Sequence, residues 1–139
     1  MNYTIEKNEQ YALIKLQEQA FGGEVPTGFE TLSRSLFREG YSNLVVDFNT
    51  VESVDNNGVS VLRKINRQCS NELGLLVLVT KSDNMTDFLY ASNIPDLTVL
   101  PTTEEAVDAV FMHELENDFM NEQEDEYDGE LGEGTFEKE

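Results

Sequence analysis

The chain has 139 residues, a hydrophobic fraction of 39% and a formal net charge of −19 at neutral pH. That length allows one domain with a proper core. The acidic excess argues against nucleic-acid binding through phosphate neutralisation and against adsorption to an anionic membrane, and it favours a protein partner with a basic surface.

No basic segment followed by an apolar one opens the chain, and no apolar run approaches the roughly 18 residues of a membrane span. The one cysteine, Cys69, has no partner for an internal disulfide. These features lead us to expect a cytoplasmic protein.

Thr4–Lys7 and Tyr11–Leu16 are short strand-like runs separated by a polar "NEQ", which predicts a hairpin at a sheet edge. "QAFGGEVPTG" is read as a loop. Phe29, Leu32, Ser33, Leu36 and Phe37 recur at helical spacing, so a helix is predicted from Pro26 to about Arg38, ended by Gly40. Asn43–Phe48 is a continuous apolar run with a polar end, the pattern of a strand buried on both faces.

From Asn57 the period becomes helical, with Val59, Leu62, Ile65 and Cys69 on one face and an end near Leu73-Gly74. Leu75–Thr80 is a second inner strand. Ser82 or Asp83 is placed to cap a short helix bearing Met85, Phe88 and Leu89, which Asn93 and Pro95 end. In this cluster, with Tyr90, core packing is the default and one or two exposed members would suit a hydrophobic contact. Leu97–Leu100 is a third strand. Thr102 and Glu105 have capping-box spacing ahead of a last helix with Ala106, Val107, Val110, Phe111 and Leu115 on its apolar side.

The order predicts one α/β domain over 1–119. It has about five strands and four helices in a mixed, mostly parallel sheet with an antiparallel N-terminal edge strand. Residues 120–139 carry nine acids against one lysine and almost no aliphatic side chains. Such a segment buries too little apolar surface to offset its ordering entropy, so it is expected to be a disordered acidic tail.

Few residues suggest chemistry. His113 is the only histidine and has no cysteine near it, so neither a metal site nor a histidine dyad is expected, and no cofactor is implied. Cys69, on an apolar helix face, is expected to be a small buried hydrophobe. A receiver-type phosphoacceptor would need an acidic pair after the first inner strand, and only Glu18 is offered there. Gly22-Gly23 lacks the lysine and the spacing of a phosphate loop. No convergent set of titratable groups supports an enzyme.

The turn "VDNNGVS" is the most informative stretch. It lies between a strand and a helix start, at the carboxyl edge of a parallel sheet, where open α/β sheets bind ligands and partners. Asp55 or Asn56 is placed as the N-cap, and Gly58 supplies backbone freedom. Arg63, Lys64 and Arg67 follow on the helix. They read as a solvated basic face or as a docking patch, either for a partner's acidic surface or for the chain's own tail.

"NLVVDFNTVESVDNNGVSVL" resembles the central motif of the STAS domain family, the fold of bacterial anti-sigma factor antagonists. In that motif a strand ends in Asp-Leu/Phe and leads to Asp-Ser-Ser/Thr-Gly and an aliphatic helix. Here Asp47-Phe48, Val51, Asp55–Val59 and Val61-Leu62 carry the match. The element order resembles the family from about Tyr3 to Phe119.

The resemblance implies a non-catalytic, signalling role in transcription regulation. The chain would bind and sequester an anti-sigma factor of the serine-kinase type, or a related regulator, through Asp55, Asn56, Asn57, Gly58, Arg63, Lys64 and Arg67. It also places Asn56 at the phosphoacceptor serine position and Asn57 at the next hydroxyl, so the usual switch residue is an amide. A further departure is the missing aspartate in "LQEQAFGGEVPTG". The alternative readings are a small-ligand-binding subunit or a part of a transporter or stress-signalling complex. Oligomeric state stays open.

Overall fold

The computed structural model describes residues 1–128, with side chains through Phe119. Strands β1 (Tyr3–Lys7) and β2 (Ala12–Leu16) form the predicted antiparallel hairpin, with Ile5 opposite Ile14. Strand β2 then pairs in parallel with β4 (Leu44–Asp47), β4 with β6 (Leu76–Val79), and β6 with β7 (Thr98–Leu100). The five-stranded order is β1-β2-β4-β6-β7. The mixed sheet, its antiparallel edge and the four helices agree with the expectation.

Alternation along the strands divides the core. Ile14, Val46 and Leu78 face α1 (Val25–Arg38), α2 (Asn56–Asn71) and α3 (Asp83–Ala91). Leu13, Val45, Val77 and Val79 face α4 (Thr103–Asp128). Because both faces are covered, β4 and β6 show near-continuous apolar runs where a half-exposed strand would alternate.

Local signals work as read. Pro26 occupies the first turn of α1, where its missing N–H is not needed. Gly40 stops α1 at φ +104°, a left-handed conformation that glycine adopts without strain. Ser82 is the cap of α3, its hydroxyl accepting from Met85 N at 3.1 Å. Thr102 Oγ1 accepts from Glu105 N at 3.1 Å and donates to the Glu105 carboxylate at 2.9 Å. Cys69 is fully buried, and burial, with a smaller contribution from Glu72, pushes its thiol up to about 12.

Three features differ from the reading of the sequence. The segment read as a loop contains β3 (Ala20–Phe21), which pairs in parallel with β5 (Ser53–Val54) in a separate two-residue ladder. Two residues are too few to show alternation, so a tertiary pairing creates these strands. Val59, placed on the apolar face of α2, packs against the core but stays half-buried, and Val61 and Asn66, not placed there, are buried.

The third difference lies in α4. Ala106 and Val110 are buried, but Phe111 and Leu115, expected on the apolar side, are exposed. The inward face continues instead through His113 and Asn117, both bonded to Leu73 O (3.2 and 2.7 Å) in the turn after α2. Beyond Val110 the helix meets this polar turn and leaves the sheet behind. It also continues to Asp128, past the expected boundary at 119/120, and residues 129–139 lie outside the described residues.

Buried Asn43 joins three parts of the sheet's lower end. Its Oδ1 accepts from Leu75 N (2.9 Å), and its Nδ2 donates to Gln10 O (2.8 Å) and Glu114 Oε2 (3.1 Å). Replacing it leaves a part-buried backbone N–H and a carbonyl without this partner. Asn43→Ala should destabilise the chain by about 1–3 kcal/mol, read as a lower urea midpoint in equilibrium unfolding.

Candidate functional site

The site is assembled where β4 ends. Phe48 is buried and its N–H donates to Val79 O at 2.7 Å, while Asp47 Oδ1 accepts from Asn49 N at 2.8 Å to turn the chain. Asn49 Oδ1 accepts from Lys81 N (3.0 Å), and Thr50 Oγ1 donates to Leu16 O (2.8 Å). The loop after β4 is thus bonded to the ends of β2 and β6. Buried Val51 anchors it from below, and Glu52 N donates to Gln19 O at 2.7 Å. The β5 residues then run beside β3 and deliver the chain to Asp55.

Asp55 is the N-cap of α2, with extended backbone and Oδ1 accepting from Gly58 N at 2.7 Å. Its second oxygen accepts from Gly23 N at 3.0 Å, in the loop before α1. These bonds, that from Gly58 first and that from Gly23 second, hold the carboxyl below its ordinary value of 3.8. Two glycines make the joint sterically feasible. A Cβ on Gly22 would stand 2.7 Å from Asp55 Oδ2. A Cβ on Gly58 would collide with the backbone carbonyl of Phe21 and lie 2.8 Å from Val54 Cγ1. Gly58 is therefore required by close approach of a neighbouring strand, which corrects its expected role as a source of backbone freedom.

Asn56 and Asn57 project from the first turn of α2 and are exposed. Phe88 of α3, 42% exposed, shares a groove with Asn56. It lines two grooves: one of about 430 Å³ with Asn49, Val51, Ser53, Val54, Ser82 and Met85, and one with Asn56, Val59, Ser60, Arg63 and Ser92. Tyr90 also faces outward and its hydroxyl accepts from Val99 N at 3.2 Å, whereas Met85 and Leu89 are in the core.

The structure separates Lys64 from the two arginines. Arg63 donates to Ser92 O at 3.0 Å and ties α2 to the end of α3. Lys64 points the other way, to Glu30 of α1 at 3.2 Å. Arg67 is exposed and shares a shallow groove with Arg63, Asn66, Ser70, Pro95 and Asp96. Gly23 at the surface and Phe21, fully buried beneath it, complete the site together with exposed Phe88. The Gly22-Gly23 pair was the sequence signal for the first two. Nothing in the sequence distinguishes Phe88 from its buried neighbours Met85 and Leu89.

A mixed, mostly parallel sheet sandwiched between three helices and one, with a capped Asp-x-x-Gly turn at its carboxyl edge, defines a class of small α/β domain. The chain belongs to the STAS domain family, whose model matches residues 2–109. Several solved structures share the fold. The Bacillus cell fate determinant SpoIIAA in its phosphorylated form is 19% identical, with a TM-score of 0.61, covering 78% of this chain and 99% of that one. An anti-sigma factor antagonist from Mycobacterium paratuberculosis is 15% identical, with a TM-score of 0.67 and coverage of 78% and 92%. A chain of the stressosome is 18% identical, with a TM-score of 0.59 and coverage of 77% and 95%. No curated protein matches significantly by sequence.

Two predictions follow from the joint. Gly58→Ala should cost about 1–3 kcal/mol, because the obstructing atom is backbone and cannot swing aside; a lower urea midpoint would report it. Asp55 has a lowered folded-state pKa, so its stabilisation is present above the ordinary carboxylate range and is lost as pH falls through the depressed value. Asn at this position keeps an acceptor for Gly58 but sets an amide N–H against Gly23 N–H or leaves it unpaired. Asp55→Asn should melt lower than wild type at neutral pH, and the gap in Tm should narrow as pH falls from about 5 to about 2.

Proposed function

We propose that this protein is a non-catalytic regulatory module that binds another protein through the first turn of α2 and the adjoining face of α3. Its partner would be an anti-sigma factor of the serine-kinase type or a related regulator. The observation that carries the reading is the surface itself. A rigidly capped helix start presents two exposed neutral amides, Asn56 and Asn57, and Asn56 shares a groove with an exposed aromatic, Phe88. Family membership supports a regulatory role, and antagonists among the structural neighbours point to the class of partner.

Neither residue between Asp55 and Gly58 carries a hydroxyl. Phosphorylation there is chemically closed, and a neutral side chain resembles an unmodified serine more than a phosphoserine. Binding would therefore be constitutive at this turn. Arg67, and Arg63 where it reaches beyond Ser92, would contribute at the rim; Lys64 is engaged by Glu30. A second reading, small-ligand binding, is favoured by the groove of about 430 Å³ at the sheet's carboxyl edge.

Affinity capture with the full chain, followed by mass spectrometry, would identify the partner. Titration calorimetry would then compare variants. Asn56→Glu and Asn57→Glu should each weaken binding by about tenfold or more, since each brings an uncompensated charge into the interface, and Phe88→Ala should do the same by removing an anchor. Unchanged affinity in all three would remove this surface from the interface. A copurifying small molecule released by Phe88→Ala would favour the second reading.

A further inference from the structure

Helix α4 presents a second surface, on the opposite side of the sheet from the turn. Ala106, Val110, His113 and Asn117 form its inward face, at helical spacings of four, three and four. Phe111, Leu115 and Phe119, at successive spacings of four, lie on the outward side with Met112. Their exposures are 39, 63, 58 and 60% respectively. Four large apolar side chains in one outward stripe are not the scattered singles of an ordinary surface. Only Phe111 has an aromatic neighbour among the described residues, the edge of Tyr11 at a centroid distance of 6.4 Å.

Charge selects the occupant. From Thr103 to Asp128 the helix sequence has eleven acids and no lysine or arginine, with Glu116 and Asp118 between the apolar positions. A second copy packed through the same helix would set these acids against one another, and an anionic lipid surface would be repelled. A segment with apolar side chains on one face and lysines or arginines along its flanks would satisfy both the stripe and its acidic border. We propose that Phe111, Met112, Leu115 and Phe119 of α4 dock a cationic amphipathic helix of another protein. This surface is separate from the α2 turn, so the chain would hold two partners at once.

The probe is a fluorescein-labelled 14-residue peptide of leucine and lysine with its leucines along one helical face, followed by anisotropy at about 100 mM salt. The control peptide has glutamate in place of lysine. The full chain should bind the first and not the second. Leu115→Ser/Phe119→Ser, which keeps every acid, should raise Kd by about tenfold or more. Glu116→Gln/Asp118→Asn should raise it less and flatten its salt dependence. Met112→Ser is the second test should circular dichroism show helix loss in the double variant.

Equal Kd for wild type and stripe variants would overturn the proposal, because charge alone would then explain binding. A wild-type dimer by sedimentation that dissociates in the stripe variant would assign the surface to a second copy. A tenfold tighter Kd after removal of residues 129–139 would assign it to the chain's own terminus. Asn56→Glu leaves this assay unchanged, so its outcome is independent of the α2 reading.

Discussion

The Asp55 carboxylate fastens two segments where they meet, the start of α2 and the loop before α1. One oxygen holds the start of α2 through Gly58, and the other holds the loop before α1 through Gly23. The two-residue β3–β5 ladder brings the same segments into register just before the cap. Glycine at 22 and 58 removes the atoms that would keep them apart. A carboxylate with two backbone donors is oriented far more tightly than a side chain with one, so the amides that follow it are displayed in a fixed direction. The site's geometry depends on this joint more than on any side chain displayed there.

The two faces of the sheet are treated unequally. Three helices seal one face with a large aliphatic and aromatic core, in which Phe21 packs against both Phe29 and Phe48. A single helix covers the other, over a smaller cluster of valines, Leu13 and Ala106. Only the first turns of α4 are spent on that cluster. The turns from His113 to Asn117 are held by polar bonds to the Leu73 turn and to Asn43, which leaves their outward side available. Net charge −19 together with an exposed row of large apolar residues would give the proposed basic partner both long-range attraction and short-range contact.

Much of the fold was legible because long-period signals are redundant. Leu44–Asp47 and Leu76–Val79 are apolar runs too short for helices, and Ser82, Thr102 and Gly40 mark helix ends by mechanisms that act within four residues. The turn, its cap and its family motif were legible for the same reason. The β3–β5 ladder was not, because its partners are more than thirty residues apart and each contributes two positions. Phe111 and Leu115 misled because helical spacing says which residues share a face and not how far the opposing sheet extends. Arg63 and Lys64 adjoin in sequence but project toward α3 and α1, so a cluster in the chain became two separate tethers.

The amino-acid sequence by itself determined the order of the helices and main-sheet strands, the parallel interior, the amide character of the turn and the acidic balance. Each follows from local pattern or from composition. The tertiary structure alone decided that Gly58 faces the Phe21 carbonyl, that Asp55 spans two loops, that Phe88 stands out while Leu89 is buried, and that α4 outruns the sheet. Those facts concern distances between remote segments. They arise when a helix of set length meets a sheet of set width, a comparison that no single stretch of chain encodes.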